Sequence, residues 1–376
     1  MAERGVLKIV NVVGGRPNFP KIAPILEGMA EVPTITALLV HTGQHYDHEM
    51  SRIFFEDLKI PEPAFFLGVG SGSHAQQTAK VMVEFEKALE KEQPDLVVVV
   101  GDVNSTLACA LVAAKLLIPV AHVEAGLRSF DRTMPEEINR ILTDHLSEYL
   151  FTTSADADAN LLREGIPAAK IHLTGNVMID TLRKSEPLAR GRNAAGVLGL
   201  KRGGYAVLTL HRPSNVDDPE AFALILNGLE EIQARLPIVF PVHPRSRKRI
   251  AEFGLDRRIE RLGQLKLCAP LGYLTFLSLM LDARFVMTDS GGIQEETTAL
   301  GIPCLTLREN TERPVTVDVG TNIVVGTRPE RIVAEAMRLL DGGHRRGRIP
   351  PLWDGRAAGR IVDILRRHPV TRGAGR

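Results

Sequence analysis

Phe285-Val286-Met287-Thr288-Asp289-Ser290-Gly291-Gly292-Ile293-Gln294-Glu295-Glu296 is the stretch whose reading decides the fold. Its apolar start reads as a buried strand, and the spacing of Ile293–Leu300 predicts a helix. A strand-to-helix turn carrying two glycines sets free backbone N–H groups at a helix N-terminus, where partial positive charge suits a phosphate. Gly291 and Gly292 let an anion approach without a Cβ in the way. The same residues also suit a plain helix start, with Ser290 as the N-cap and glutamates in the first turn.

Outward from this turn, strand and helix patterns alternate in both halves of the chain. In the first half the strand readings are Val6–Val13, Thr36–Val40, Asp95–Val100, Pro119–Val123, Leu150–Thr153 and Ile171–Thr174. In the second half they are Tyr205–Leu210, Ile238–Pro241, a short strand from Leu267, Phe285–Thr288, Pro303–Leu307 and Asn322–Val325. Near-continuous apolar strands separated by helices predict α/β structure with parallel sheets. A chain of 376 residues exceeds one ordinary core, so two Rossmann-like domains are expected, 1–175 and 176–354. The Gly-, Arg- and Lys-rich run that follows Asn176 reads as the connection, with one helix in it. The tail, 355–376, reads as a basic amphipathic helix that packs back on the first domain. Ligands bind at the carboxyl edges of such sheets, so a central cleft faced by both domains is the expected site.

Composition narrows the function. The net charge of +1 gives no bulk attraction to nucleic acid or membrane, and 5% aromatic residues argue against base stacking. No apolar run approaches a membrane span, and the start reads as a strand rather than a signal peptide, so a cytoplasmic protein is expected. Cys109, Cys268 and Cys304 are far apart and read as small core hydrophobes. His41, His45 and His48 lack metal-ligand spacing, so their loop, with Gln44, reads as a polar binding loop and no metal is expected. The turn after Val13 lacks both GxGxxG and GxxxxGK[ST], so no dinucleotide cofactor is expected. GxSxG and a cysteine nucleophile are missing too.

What remains are charged groups at strand ends. Arg16 and Lys21 stand near a helix start, where they can meet an anion, although Arg16 also suits a solvated turn. Asp102, Glu124 and Glu136 fall at strand ends or helix starts on one edge, where crowding pushes carboxyl pKa values apart. Asp102 alternatively caps the next helix, and Glu137 reads as a capping charge. With Arg313 near the Gly291 turn, the second half looks built for a nucleotide diphosphate and the first for acid/base chemistry.

These residues resemble the non-hydrolysing UDP-N-acetylglucosamine 2-epimerases, two-domain proteins of the GT-B type. The resemblance runs through Gly15-Arg16-Pro17 and Lys21, Thr42-Gly43-Gln44-His45, Gly101-Asp102, His122-Val123-Glu124-Ala125-Gly126-Leu127-Arg128, Pro135-Glu136-Glu137, Thr174-Gly175-Asn176, His211-Arg212, Pro241-Val242-His243, Thr288–Glu296 and Thr311-Glu312-Arg313-Pro314. It implies a homodimer that takes a UDP-sugar and needs no cofactor. It implies Ser290, Gly291 and Gly292 on phosphate, Glu296 on ribose and Phe276 near uracil. Arg16, His211 and Arg313 would steady the diphosphate, and Asp102, Glu124 and Glu136 would serve acid/base steps, with Lys21 beside them. Arg128 and His243 lie in matching motifs and are carried as substrate contacts. Gln44, His45 and Arg212 match residues that bind a second, activating substrate molecule. Two departures bear on that activation: Pro213-Ser214-Asn215 follows Arg212, and Tyr46-Asp47-His48 follows His45. The implied reaction inverts C2 of UDP-N-acetylglucosamine by eliminating UDP and adding it back. A diacetamido uronic acid substrate, a hydrolysing relative and a glycosyltransferase are the alternatives.

Overall fold

The computed structural model of the chain describes residues 5–44, 48–343 and 347–369. Two compact units emerge. The first comprises Met1–Arg183 with Pro351–Arg376, and the second Lys184–Pro350.

The first unit holds a parallel sheet of β1 (Leu7–Val13), β2 (Ile35–His41), β3 (Phe65–Phe66), β4 (Leu96–Val100), β5 (Val120–Ala125), β6 (Tyr149–Thr152) and β7 (Ile171–Leu173). Their order is β3-β2-β1-β4-β5-β6-β7. Both faces are covered, as the unbroken Leu96-Val97-Val98-Val99-Val100 run requires. Alternation along the strands divides the side chains. Ile9, Val98 and Val100 join the core under the helix Phe19–Ala30, while Val10, Val97 and Val99 join the core with Phe85 and Cys109.

The helix Ala357–Leu365 returns to the first of these cores through Ala357, Ala358, Ile361, Val362 and Leu365. Three contacts fix it. Asp180 accepts the amides of Ala357 and Ala358 at 3.1 and 2.7 Å. A Cβ on Gly28 would lie 3.3 Å from Val362, so the two helices pack closely there. Trp353, 2% exposed, donates its indole N–H to the Thr153 carbonyl at 2.9 Å.

The second unit repeats the plan with β8 (Ala206–Thr209), β9 (Ile238–Pro241), β10 (Leu265–Cys268), β11 (Phe285–Thr288), β12 (Cys304–Thr306) and β13 (Asn322–Val324), all parallel. Their order is β10-β9-β8-β11-β12-β13. The strand order reverses between β1 and β4 in one sheet and between β8 and β11 in the other, which is where loops diverge and ligands bind. The connection holds two helices, Val177–Arg190 and Ala194–Val197, rather than one. The sequence reading also missed the helices His48–Leu58 and Pro244–Glu252.

Trp353→Ala should lower the stability of the first unit by about 3–5 kcal/mol, the usual cost of emptying a large buried aromatic site. Trp353→Phe, which loses chiefly the hydrogen bond, should cost about 1 kcal/mol. Urea unfolding followed by far-ultraviolet circular dichroism measures both; equal midpoints for wild type and Trp353→Ala would contradict the packing role.

Candidate functional site

In the first unit the turn after β1 is held by Asn18. Its Oδ1 accepts the amides of Gly14 and Gly15 at 2.9 and 3.2 Å, and its Nδ2 donates to the Val100 carbonyl at 2.9 Å. This ties the end of β1 to the end of β4. Arg16 begins the short 3-10 turn Arg16–Asn18, and the helix Phe19–Ala30 then carries Lys21 inward. Lys21 is buried, and its ammonium forms an ion pair with the buried carboxylate of Glu124. The pair lies against Gly101: a Cβ there would sit 3.0 Å from Lys21 Nζ and 3.6 Å from Glu124 Oε2. Gly101 has φ +68°, so a side chain there would be strained as well as tight against Lys21.

Asp102 follows immediately. It does not cap the next helix, whose N-cap is Val103. Its carboxylate instead meets Arg140 Nη1 at 2.5 Å, and its carbonyl accepts from Asn139 Nδ2 at 2.9 Å. Both partners lie on the helix Pro135–Leu146, whose second residue is the partly exposed Glu136. Glu137 caps a loop rather than its own helix, accepting the amides of Ser129 and Phe130, each at 2.9 Å. Burial alone would raise its carboxyl pKa, but these amides and Arg140 hold it below the ordinary carboxylate value.

Glu124 occupies an irregularity. The register of β5 against β6 shifts between Val123 and Ala125, and Glu124 has φ +70°. A non-glycine residue held in this region costs roughly 1–3 kcal/mol and is characteristic of functional sites.

Arg128 is buried, with Nη1 2.7 Å from Asp144 and Nη2 2.7 Å from Glu164, so it braces the loop instead of presenting its guanidinium to a ligand. Gln44 is buried and its Oε1 accepts from the Ser105 amide and hydroxyl at 2.9 and 2.7 Å, tying the loop after β2 to the helix after β4. His41 accepts the Gly43 amide at 2.9 Å, and burial pushes its ring down to about 4. His45 lies outside the described residues.

In the second unit the organising group is Asp289, which sequence reasoning quoted but did not select. It is fully buried at the end of β11. Its Oδ2 accepts the amides of His211 and Arg212, each at 2.9 Å, and the side chain of Asn215 at 3.2 Å. Its Oδ1 stands 2.8 Å from His211 Nδ1. Burial alone would raise the Asp289 carboxyl pKa; the His211 charge and these donors bring it below the ordinary value. A carboxylate on Nδ1 selects the ring form whose Nε2 exchanges protons or binds a ligand. His211 retains 37% side-chain exposure, and its ring lies 5.7 Å from that of His243. His243 itself caps the helix Pro244–Glu252, with Nδ1 accepting the Arg245 amide at 3.2 Å.

Ser290 does not cap through its side chain, and its amide already donates to Thr288 Oγ1 at 2.9 Å. Gly291 opens the helix Gly291–Leu300, with Gly292 next. A Cβ on Gly291 would overlap the Arg313 guanidinium, so glycine lets that side chain lie against the start of the helix. Arg313 pairs with Glu295 at 2.9 Å and Glu312 at 2.7 Å, and Glu312 also meets Arg308 at 2.7 Å and Arg212 at 3.3 Å. Cationic side chains and open helix amides thus converge at one end of this helix, which is a place for a diphosphate.

Glu296, one turn on, is buried and accepts from the Tyr273 hydroxyl at 2.8 Å. Burial, reinforced by Glu295 and only partly offset by Tyr273, pushes it up to about 7. Phe276 is half-buried on the same helix as Tyr273, Tyr273–Asp282.

A family model described as UDP-N-acetylglucosamine 2-epimerase matches residues 28–366. A UDP-N-acetylglucosamine 2-epimerase of Methanocaldococcus jannaschii is 46% identical over 96% of this chain and 99% of its own. A UDP-2,3-diacetamido-2,3-dideoxy-D-glucuronate 2-epimerase of Pseudomonas aeruginosa is 41% identical over 96% of this chain and 99% of its own. The crystal structure of the M. jannaschii protein in complex with UDP-GlcNAc and UDP matches with TM-score 0.90 at 45% identity, covering 96% of this chain and 99% of that one.

The raised Glu296 carboxyl fixes a pH dependence. The folded state keeps a proton that the unfolded chain releases near its ordinary pKa of about 4.3. The associated stability is therefore complete at low pH and is lost as pH rises through about 7. Glu296→Gln should come near wild type at pH 4, below the unfolded pKa, and melt at clearly higher temperature than wild type at pH 8. An equal difference in melting temperature at both pH values would contradict this.

Proposed function

Because the chain belongs to the UDP-N-acetylglucosamine 2-epimerase family, we propose that it inverts C2 of UDP-N-acetylglucosamine to give UDP-N-acetylmannosamine. A base removes the C2 proton, its electron pair forms the C1–C2 double bond, and the C1–O bond breaks with its electrons on UDP. UDP then adds back to C1 of the 2-acetamidoglucal while a proton enters C2 from the other face. The first requirement is a carboxylate placed to act as a base. Glu124, buried beside Lys21, and Asp102, partly exposed beside Arg140, are the candidates, with Glu136 as the third carboxylate. The second is stabilisation of the departing diphosphate. Arg16, His211, Arg212 and Arg313 supply cationic or donating groups, and the Gly291 and Gly292 amides supply a helix terminus. Glu296 takes the ribose and Phe276 the uracil in this proposal.

The observation that carries the reading is Glu124: a carboxylate kept on a strained backbone and paired with a buried lysine, in a chain 46% identical to a protein named for this reaction. A homodimer in the cytoplasm belongs to the proposal, supported by the family resemblance. Among the described residues no helix is long and apolar enough to cross a membrane. A second reading, epimerisation of a UDP-2,3-diacetamido uronic acid, is favoured by the 41% identity to the Pseudomonas protein.

Incubation in deuterium oxide with each UDP-sugar separates these readings. The account expects deuterium at C2 of the product from UDP-N-acetylglucosamine, with UDP and sugar still joined. Unlabelled product, or free N-acetylmannosamine at the turnover rate, would contradict it. Exchange with the uronic acid alone would support the second reading.

A further inference from the structure

The strained backbone at Glu124 has to be held by something, and the buried groups around it form a device that the proton transfers do not use. Asp144, on the helix Pro135–Leu146, places Oδ1 2.6 Å from His122 Nδ1 and accepts the Gly126 amide on Oδ2 at 3.1 Å. One carboxylate therefore ties the residues flanking Glu124 on both sides, across the register shift. The other nitrogen of His122, Nε2, lies 2.8 Å from the Gly101 carbonyl. That carbonyl belongs to the peptide that leads into Asp102. Both ring nitrogens thus face acceptors, a carboxylate and a carbonyl, and only an imidazolium carries two N–H groups to satisfy them.

The charge is compensated in sequence. His122 meets Asp144, Asp144 meets Arg128 at 2.7 Å, and Arg128 meets Glu164 at 2.7 Å, with His145 3.5 Å beyond Glu164. The first three are buried, and the row reaches solvent at the partly exposed Glu164 and the exposed His145. Burial would push the Asp144 carboxyl up, but His122 and Arg128 hold it below the ordinary value. Elsewhere on the same helix, Asn139 and Arg140 hold Asp102 itself.

We propose that Asp144, acting through the His122 imidazolium and the Gly126 amide, is the positioning residue that fixes the Glu124 carboxylate and the Gly101–Asp102 peptide for proton transfer at the sugar. The clamp resists rotation of the Gly101 peptide, because turning it would leave the buried His122 Nε2–H without an acceptor. The functional part of this inference rests on the epimerase reading.

The test is Asp144→Asn in the full-length protein, with His122→Gln as its companion. For Asp144→Asn, kcat for deuterium entry at C2 should fall by about 10–100-fold, as for sub-ångström to ångström misplacement of reacting groups. KM and UDP affinity should stay near wild type, because none of the groups bonded to Asp144 is a proposed diphosphate contact. In protein labelled with 15N-histidine, the His122 signals, identified by their loss in His122→Gln, should show both ring nitrogens protonated in wild type and one in Asp144→Asn. A folded Asp144→Asn with wild-type kcat, or a singly protonated His122 ring in wild type, would overturn the proposal. If circular dichroism shows Asp144→Asn unfolded, His122→Gln carries the kinetic test under the same criteria. Wild type that exchanges C2 of no UDP-sugar would sink the epimerase reading instead, and the ring-nitrogen measurement would still decide whether the clamp exists.

Discussion

The ion pair between Lys21 and Glu124 is the interaction on which the first unit's chemistry depends. A carboxylate removed from water either finds a cation or takes up a proton and ceases to be a base. Here the cation arrives from the helix after β1, the carboxylate from the end of β5, and Gly101 at the end of β4 leaves room for them to meet. Three strand ends are thereby committed to one contact. Asn18, the Glu124 backbone and the loop pinned by Glu137 all serve the same placement.

The second unit solves a related problem with the opposite charge in view. A departing diphosphate needs cations and donors already in position, because reorganising them during the reaction would forfeit the gain. Asp289 does the fixing. It spends its oxygens on the His211 and Arg212 amides, on Asn215 and on the His211 ring. Glu312 and Glu295 hold the arginines apart and oriented, so that the cluster does not depend on a ligand to keep its shape. In the second unit, therefore, the buried acids Asp289, Glu295 and Glu312 fix the positions of the cationic groups proposed to meet the diphosphate.

Much of this was legible in the sequence. Apolar strands such as Leu96–Val100 are unmistakable, because a parallel sheet covered on both faces leaves no polar side of the strand. The motif at Thr288–Glu296 and the carboxylates at strand ends were found because loop chemistry is written in consecutive residues. What escaped was what depends on partners distant in sequence. Arg128 reads like a ligand-binding arginine until Asp144 and Glu164 are seen to enclose it. Asp144 and Asp289 carry no local signal that separates a clamp from an ordinary acid. The helix Pro244–Glu252 was missed because its charged surface sequence, Pro-Arg-Ser-Arg-Lys-Arg-Ile-Ala-Glu, gives little apolar periodicity. Departures from the family pattern also acquire a physical meaning. Asn215, within the Pro213-Ser214-Asn215 turn, donates to both Asp289 and the Leu307 carbonyl, so the altered turn still anchors the His211 loop.

The account divides one reaction into a proton transfer managed by carboxylates and the departure of a diphosphate managed by arginines and helix amides. That division requires the C1–O bond to break in every catalytic cycle. UDP-N-acetylglucosamine with oxygen-18 in the bridge between C1 and the β-phosphorus tests it most directly. The account predicts that the label spreads into the non-bridging β-phosphate oxygens of the recovered UDP-sugars as C2 exchanges. Inversion at C2 with the label wholly retained in the bridge would contradict it, since the diphosphate cradle would then have no departing group to stabilise.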